Sequence, residues 1–332
     1  MIDGFDNTAT APAPYPERFI MASSTETSKN LAVSFIGAGA MGIPMAIKLL
    51  ENGHSVSMWN RTLSKCNPVK EKGAKVFSTP DAAVRDGGDI VFIMLSACKA
   101  IQAVLGNPRV LESIRGKTVI NMSTIAPDES EAFAKMVEES GGTYVESPVS
   151  GSVPHVQKGS LLIMACARKE KTVKNLSHLL SIWGTVKYLG NITASATYKI
   201  AINQMLAANT TALAFSLGYI RRSGLDTKAF MDIIQGGILS CPYYNFKYPA
   251  MRDRKFTPTN FSSNLFLKDV NLAIEDGKKK GLLTASVEGV AAVTKAAIRN
   301  GLGNSDFSSL YNAIDPPSSK DVNHAENEEK EK

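Results

Sequence analysis

The stretch LAVSFIGAGAMGIPMAIKLLENGHSVSMWN, Leu31 to Asn60, decides the fold. LAVSFIG and SVSMWN are apolar runs of strand length. Between them AMGIPMAIKLLENG carries apolar residues at helical spacing and closes on Gly53, the residue type favoured just past a helix end. Two strands joined by a helix-length connection pair in parallel through a right-handed crossover. The same alternation continues through DIVFIML, TVINMS and YVESPVS, so the first half of the chain reads as a doubly wound parallel sheet.

The turn inside that stretch is GAGAMG, made of Gly37, Ala38, Gly39, Ala40, Met41 and Gly42. A GxGxxG alone says little, but this one follows a strand and opens a helix, the context in which it binds a dinucleotide. Gly37 permits the tight turn, Gly39 lets a pyrophosphate approach the backbone, and Gly42 lets the helix pack close to the sheet. The helix start then offers unpaired N–H groups and a partial positive charge to phosphate. The alternative is a glycine-rich turn without a ligand.

The end of the second strand chooses between cofactors. An NAD site places Asp or Glu there for the ribose 2′-hydroxyl, but this chain has Asn60, Arg61 and Thr62. Arg61 suits a 2′-phosphate, with Asn60 and Thr62 donating hydrogen bonds, so NADPH is expected rather than NADH. An ordinary surface arginine is the alternative for Arg61.

After Tyr188 the strand signals stop, and from Ala194 a long proline-free helical pattern runs to near Gly224. Further helices are expected around LDTKAFMDIIQG, NFSSNLFLKDVNLAIEDG and TASVEGVAAVTKAAIRNG. The expected architecture is α/β: a Rossmann-type sheet domain over 31–193, then an all-helical substrate and oligomerisation domain over 194–315, joined through the long helix. Residues 1–30 and 316–332 read as disordered tails, the second acidic.

In the long helix SATYKIAINQ places Lys199 and Asn203 four residues apart, hence on one face. If that face looks into an interdomain cleft, Lys199 can protonate the oxygen of a carbonyl being reduced. Burial would lower its pKa toward neutrality. The alternative is a lysine whose stem lies on apolar surface with its head in water.

Four motifs in one order, FIGAGAMG with HSVSMWNRTLSKC, NMSTIAP, ESPVSGS, and YKIAIN with FLKDVNLA, identify a resemblance over roughly Leu31 to Ala313. The chain resembles the β-hydroxyacid dehydrogenase family, related to 3-hydroxyisobutyrate and 6-phosphogluconate dehydrogenases, and most the NADPH-dependent glyoxylate/succinic semialdehyde reductases. The resemblance implies that Met94, Leu95, Ser96 and Thr124 line the cofactor, and that Ser150, Gly151 and Ser152 cradle a substrate carboxylate. It makes Lys199 the catalytic lysine, Asn203 the orienting asparagine, and Lys268 a lysine closing the site against cofactor and substrate. It implies a small carboxylate-bearing carbonyl substrate, and a homodimer or homotetramer.

Two departures stand out. Relatives commonly carry GxG where this chain has Thr193, Ala194 and Ser195. The segment ILSCPYYNFKYPAMRDRKF, in a region lining the substrate side in the family, is rich in Tyr243, Tyr244, Phe246 and Tyr248. The first would narrow the cleft or reshape the nicotinamide side, and the second is compatible with a larger or more apolar substrate than glyoxylate. His155 reads as incidental. An imine reductase or tailoring ketoreductase is one alternative activity, although imine-reducing relatives usually lack the lysine; a non-catalytic dinucleotide-binding scaffold is the other.

Composition bounds the rest. The formal charge is +6, and each terminal tail is acidic by two charges, leaving +10 on the core, which suits anionic ligands. The run Lys278 to Lys280 reads as a solvated helix end rather than a nucleic-acid site. Four isolated cysteines indicate neither a disulfide framework nor a zinc site, and no metal is expected. With no apolar run long enough to cross a bilayer and no Arg-rich leader, a cytoplasmic rather than mitochondrial protein without membrane contact is expected.

Overall fold

The computed structural model describes residues 30–317. The expected terminal tails, save Asn30, Pro316 and Pro317, lie outside the described residues.

Among the described residues nine strands form one sheet: β1 Ala32–Ile36, β2 Ser55–Trp59, β3 Lys75–Val76, β4 Ile90–Ile93, β5 Thr118–Asn121, β6 Thr143–Glu146, β7 Val149–Ser150, β8 Leu161–Ala167 and β9 Gly184–Tyr188. Their order is β3-β2-β1-β4-β5-β6-β8-β7, with β9 also paired to β8. The strands from β3 to β6 are parallel, and β1 sits between β2 and β4, Val33 opposite both Val56 and Ile90. Chain order reverses beside β1, and in open α/β sheets such a switch point is where ligands bind.

The parallel expectation holds as far as β6. There β8 turns antiparallel to both β6 and β7, so the sheet is mixed. The run read as one strand, YVESPVS, is divided into β6 and β7 at Pro148, which has no N–H for a ladder.

Helices cover both faces. Gly42–Glu51 buries Met45, Ala46 and Leu49 on one stripe. The fully buried Trp183 meets Phe92 edge to face at 5.0 Å and donates its indole N–H to the Met45 carbonyl at 3.0 Å. That contact joins the end of the domain to its first helix.

From Ala194 the described residues are helical apart from one bridge between Ser262 and Asp306. The long helix Ala194–Arg222 buries Lys199, Asn203, Ala207, Thr210, Ala214 and Leu217, a stripe three or four residues apart. At 29 residues it spans roughly 43 Å. Its last turn is anchored on the buried Asp315, which accepts from Arg221 at 2.6 Å and Arg222 at 2.7 Å.

The helices Thr227–Gln235, Ser263–Lys279 and Ala285–Ala297 occupy the expected segments, and the aromatic segment adds another, Pro242–Arg252. The lysine run is more than a solvated end. Lys278 pairs with Glu288, Lys280 with Asp276, and Lys279 crosses to Asp128 of the sheet domain at 2.5 Å.

Candidate active site

A cavity of about 620 Å³ opens where the loops at the carboxyl ends of β1, β4 and β5 face the helical domain. One wall is Gly39, Ala40, Met41 and Gly42; Met94, Leu95, Ser96 and Thr124 continue it. Gly37 and Ala38 are buried and do not line it.

Close approach explains the glycines. A Cβ on Gly37, whose φ is +121°, would sit 2.2 Å from the Met94 carbonyl oxygen, and one on Gly42 would sit 2.1 Å from that of Gly37. Gly39 differs: nothing lies within 4 Å of its absent Cβ, so the loop presents bare backbone to open space. The first turn of the helix that follows carries no acidic residue. These features fit the pyrophosphate of a dinucleotide.

Asn60 faces this loop. Its side-chain oxygen accepts the Ala38 N–H at 3.0 Å, and its amide donates to the Thr62 carbonyl at 2.9 Å. The carboxamide is thus used in shaping the loop, which departs from the donor role expected of Asn60. Arg61 and Thr62 are exposed beside it and outside the cavity lining.

The opposite wall belongs to the helices. Lys199, Asn203 and Lys268 all line the cavity. Lys268 donates to the Thr124 carbonyl at 2.7 Å and pairs with Asp269 at 2.8 Å, so one side chain ties the two domains together. Asn203 donates to the other Asp269 oxygen at 2.6 Å.

Lys199 and Asp269 are both buried. Burial lowers the Lys199 pKa to about 8; the Lys268 charge pushes the same way and the Asp269 carboxylate opposes it.

Glu146, at the end of β6, holds the start of the long helix. Its buried carboxylate accepts the Ala196 N–H at 2.7 Å and the Thr193 N–H at 3.1 Å. Burial raises its pKa, and hydrogen bonds from Ser130 and those amides pull it back. Thr193 takes φ +84°, the left-handed region where glycine is at ease, while Ser195 donates to Cys166 Sγ at 2.8 Å.

Ser150, Gly151 and Ser152 also line the cavity, yet they are not equivalent. Both the N–H and the hydroxyl of Ser152 lie within 3.1 Å of His155 Nδ1, capping the short helix Val153–Lys158. Ser152 thus turns both groups to His155, which Ser150 and Gly151 do not.

Sequence reading missed Ser123, which accepts the Leu95 N–H at 2.9 Å. It also missed Phe261 and Phe307, whose neighbours in the chain carry no chemical motif. Of the flagged aromatic residues, Tyr243 and Phe246 reach the cavity. Tyr244 instead donates to Asn209, and Tyr248 is buried in the helical core. Among the described residues no cluster of three His, Cys, Asp or Glu could hold a metal, and no helix is long and apolar enough to cross a membrane.

A phosphate-binding loop at a sheet switch point, facing a lysine on a helical domain, defines the class of two-domain nicotinamide-dependent oxidoreductases. Residues 32–195 match the NAD binding domain of 6-phosphogluconate dehydrogenase, and 193–314 match the NAD-binding domain of NADP-dependent 3-hydroxyisobutyrate dehydrogenase. Glyoxylate/succinic semialdehyde reductase 1 of Arabidopsis thaliana is 30% identical over 86% of this chain and 98% of its own length. The 2-hydroxy-3-oxopropionate reductase of Escherichia coli is also 30% identical, over 86% of this chain and 97% of its own. In structure, the Mycobacterium tuberculosis 3-hydroxyisobutyrate dehydrogenase superposes with a TM-score of 0.77 at 23% identity, covering 86% of this chain and 99% of that one. The chain belongs to the NAD(P)-dependent β-hydroxyacid dehydrogenase family, among the 3-hydroxyisobutyrate dehydrogenase and glyoxylate/succinic semialdehyde reductase relatives.

Proposed function

We propose that the protein is an NADPH-dependent reductase of a small oxo acid or semialdehyde, running reversibly to the hydroxy acid. The observation that carries this reading is Lys199, a buried lysine with a pKa of about 8 on the cavity wall across from the phosphate loop. A group titrating near the working pH is suited to give a proton in one direction and take it in the other.

When bound, the nicotinamide supplies the hydride to the carbonyl carbon. Lys199 gives its Nζ proton to the carbonyl oxygen as negative charge develops there, and Asn203, oriented by Asp269, holds the reacting group in place. Ser150 and the Gly151 N–H receive the carboxylate. Lys268, bridging Thr124 and Asp269, keeps the helical domain against the sheet loops and contributes positive charge beside anionic substrate and cofactor.

NADPH is the assigned cofactor because Arg61 is exposed at the ribose end and no acidic residue stands at 60–62. A homodimer or homotetramer is supported by the exposed apolar face of the long helix, where Met205, Phe215 and Tyr219 are each about two-thirds exposed. Four free cysteines fit a reducing compartment, and the cytoplasm is the proposed location.

The test is NADPH oxidation by the purified protein with glyoxylate, succinic semialdehyde, methylmalonate semialdehyde and bulkier ketones or imines. Hydroxy-acid formation that is lost in Lys199→Ala supports the assignment. Absence of turnover on every compound refutes it.

A further inference from the structure

The cavity continues past Lys199. Between the long helix and the helix Pro242–Arg252 it is walled by Ile202, Leu206, Tyr243, Phe246, Phe261 and Phe307. Two of these come from the long helix on the turns beside Lys199 and Asn203, so the reacting centre and the apolar chamber share one wall.

The charged groups and the tyrosine hydroxyl around this chamber are hydrogen-bonded, and Asn260 beside Phe261 is its neutral polar group. The Tyr243 hydroxyl is hydrogen-bonded to Thr210 Oγ1. Lys247 is buried, yet its ammonium donates to Asp306 at 2.7 Å and lies 4.1 Å from the Phe307 ring centre and 5.3 Å from that of Phe246. Asp306 in turn accepts the Ser308 N–H at 3.1 Å and the Ser308 hydroxyl at 2.7 Å. Among the described residues the cation at this end, Lys247, is therefore neutralised and covered by rings, whereas Lys199 and Lys268 stand at the end adjoining the sheet loops.

We propose that this chamber receives the substrate's side chain, and that the substrate is an oxo acid with its carboxylate next to the carbonyl and a branched aliphatic or aryl tail. The assignment rests on the reductase reading above and narrows it. A semialdehyde carrying its carboxylate at the far end would have to desolvate that charge against a wall with no unpaired cation. An apolar tail gains on the same wall, roughly fourfold per buried methylene.

The experiment measures kcat/KM with NADPH for glyoxylate, 2-oxobutyrate, 4-methyl-2-oxopentanoate, phenylpyruvate and succinic semialdehyde. It is paired with thermal shifts of the NADP-loaded protein by the corresponding hydroxy acids. Values should climb along the 2-oxo acid series, with the branched or aryl acid at least tenfold above both glyoxylate and succinic semialdehyde. Phe246→Ala should compress the phenylpyruvate-to-glyoxylate ratio about tenfold. Glyoxylate or succinic semialdehyde as the best substrate overturns the chamber assignment and leaves the reductase reading standing. No turnover, with Tm raised by the branched or aryl hydroxy acids but not by glycolate, overturns the reductase reading and supports the chamber. No turnover and no selective shift overturns both.

Discussion

Asn203 donates to Asp269 Oδ2 at 2.6 Å across the packed faces of two helices, Ala194–Arg222 and Ser263–Lys279. The other oxygen of the same carboxylate faces Lys268 at 2.8 Å. One buried acid thus sets the orientation of Asn203, balances Lys268 and acts electrostatically on Lys199. Asp269 thus links the other three side chains.

Lys199→Ala should lower kcat by ~10²–10⁴-fold, the usual contribution of general acid catalysis, with NADPH affinity nearly intact. In the reductive direction kcat/KM of the wild type should fall as pH rises through about 8, because the acid must be protonated. The oxidative direction should show the opposite slope. A pH profile lacking these limbs, or turnover unchanged in the variant, removes Lys199 from the chemistry.

Asp269→Asn keeps a hydrogen-bond acceptor for Asn203 but removes the charge that holds the Lys199 pKa up. The alkaline limb of the reductive profile should therefore move toward lower pH, and restoring the carboxylate as Asp269→Glu should return it at least partly. A loss of rate with the limb unmoved would assign Asp269 a packing role alone.

Burying the Lys199 ammonium also costs stability. Its folded pKa lies below its unfolded value of 10.5, so the unfolded chain binds more protons between about pH 8 and 10.5. Over that window wild-type stability should rise with pH. At pH 7 Lys199→Met should be the more stable protein, by on the order of 2–3 kcal/mol. Urea midpoints at pH 7 and pH 10 check this: a destabilised methionine variant at pH 7 contradicts it.

Arg61→Ala should weaken NADPH by about 10–100-fold, the range of a hydrogen bond to a charged group, and NADH far less. Titration of both cofactors by fluorescence decides the matter. Equal losses would detach Arg61 from the 2′-phosphate.

Thr193 holds φ +84° under the grip of Glu146. A left-handed non-glycine residue costs roughly 1–2 kcal/mol, and a glycine gives part of that back through its unfolded-state entropy. Thr193→Gly should stabilise by about 0.5–1 kcal/mol in denaturant melts. A net loss would show that the threonine side chain contributes more than its backbone strain.

The dinucleotide half was legible because its signals are local. The strand run of β1, the GxGxxG glycines and the crossover spacing all lie within thirty residues. Lys199 and Asn203 were legible as a pair because a helix puts residues four apart on one face. The reversal of β8 was not, since a run such as LLIMACA says nothing of direction. The closing of Ser152 on His155 and of Asn60 on the loop depended on rotamers that spacing leaves open.

By itself, then, the sequence determined the strand–helix alternation of the first half, the phosphate loop and the helix face bearing the lysine, because periodicity and the GxGxxG pattern are read over a few residues. The tertiary structure decided the ionisation of Lys199, the sharing of Asp269 and the apolar chamber lined by Phe261 and Phe307. Burial, charge and shape at those points are sums over residues that lie far apart in the chain and meet only when the two domains pack.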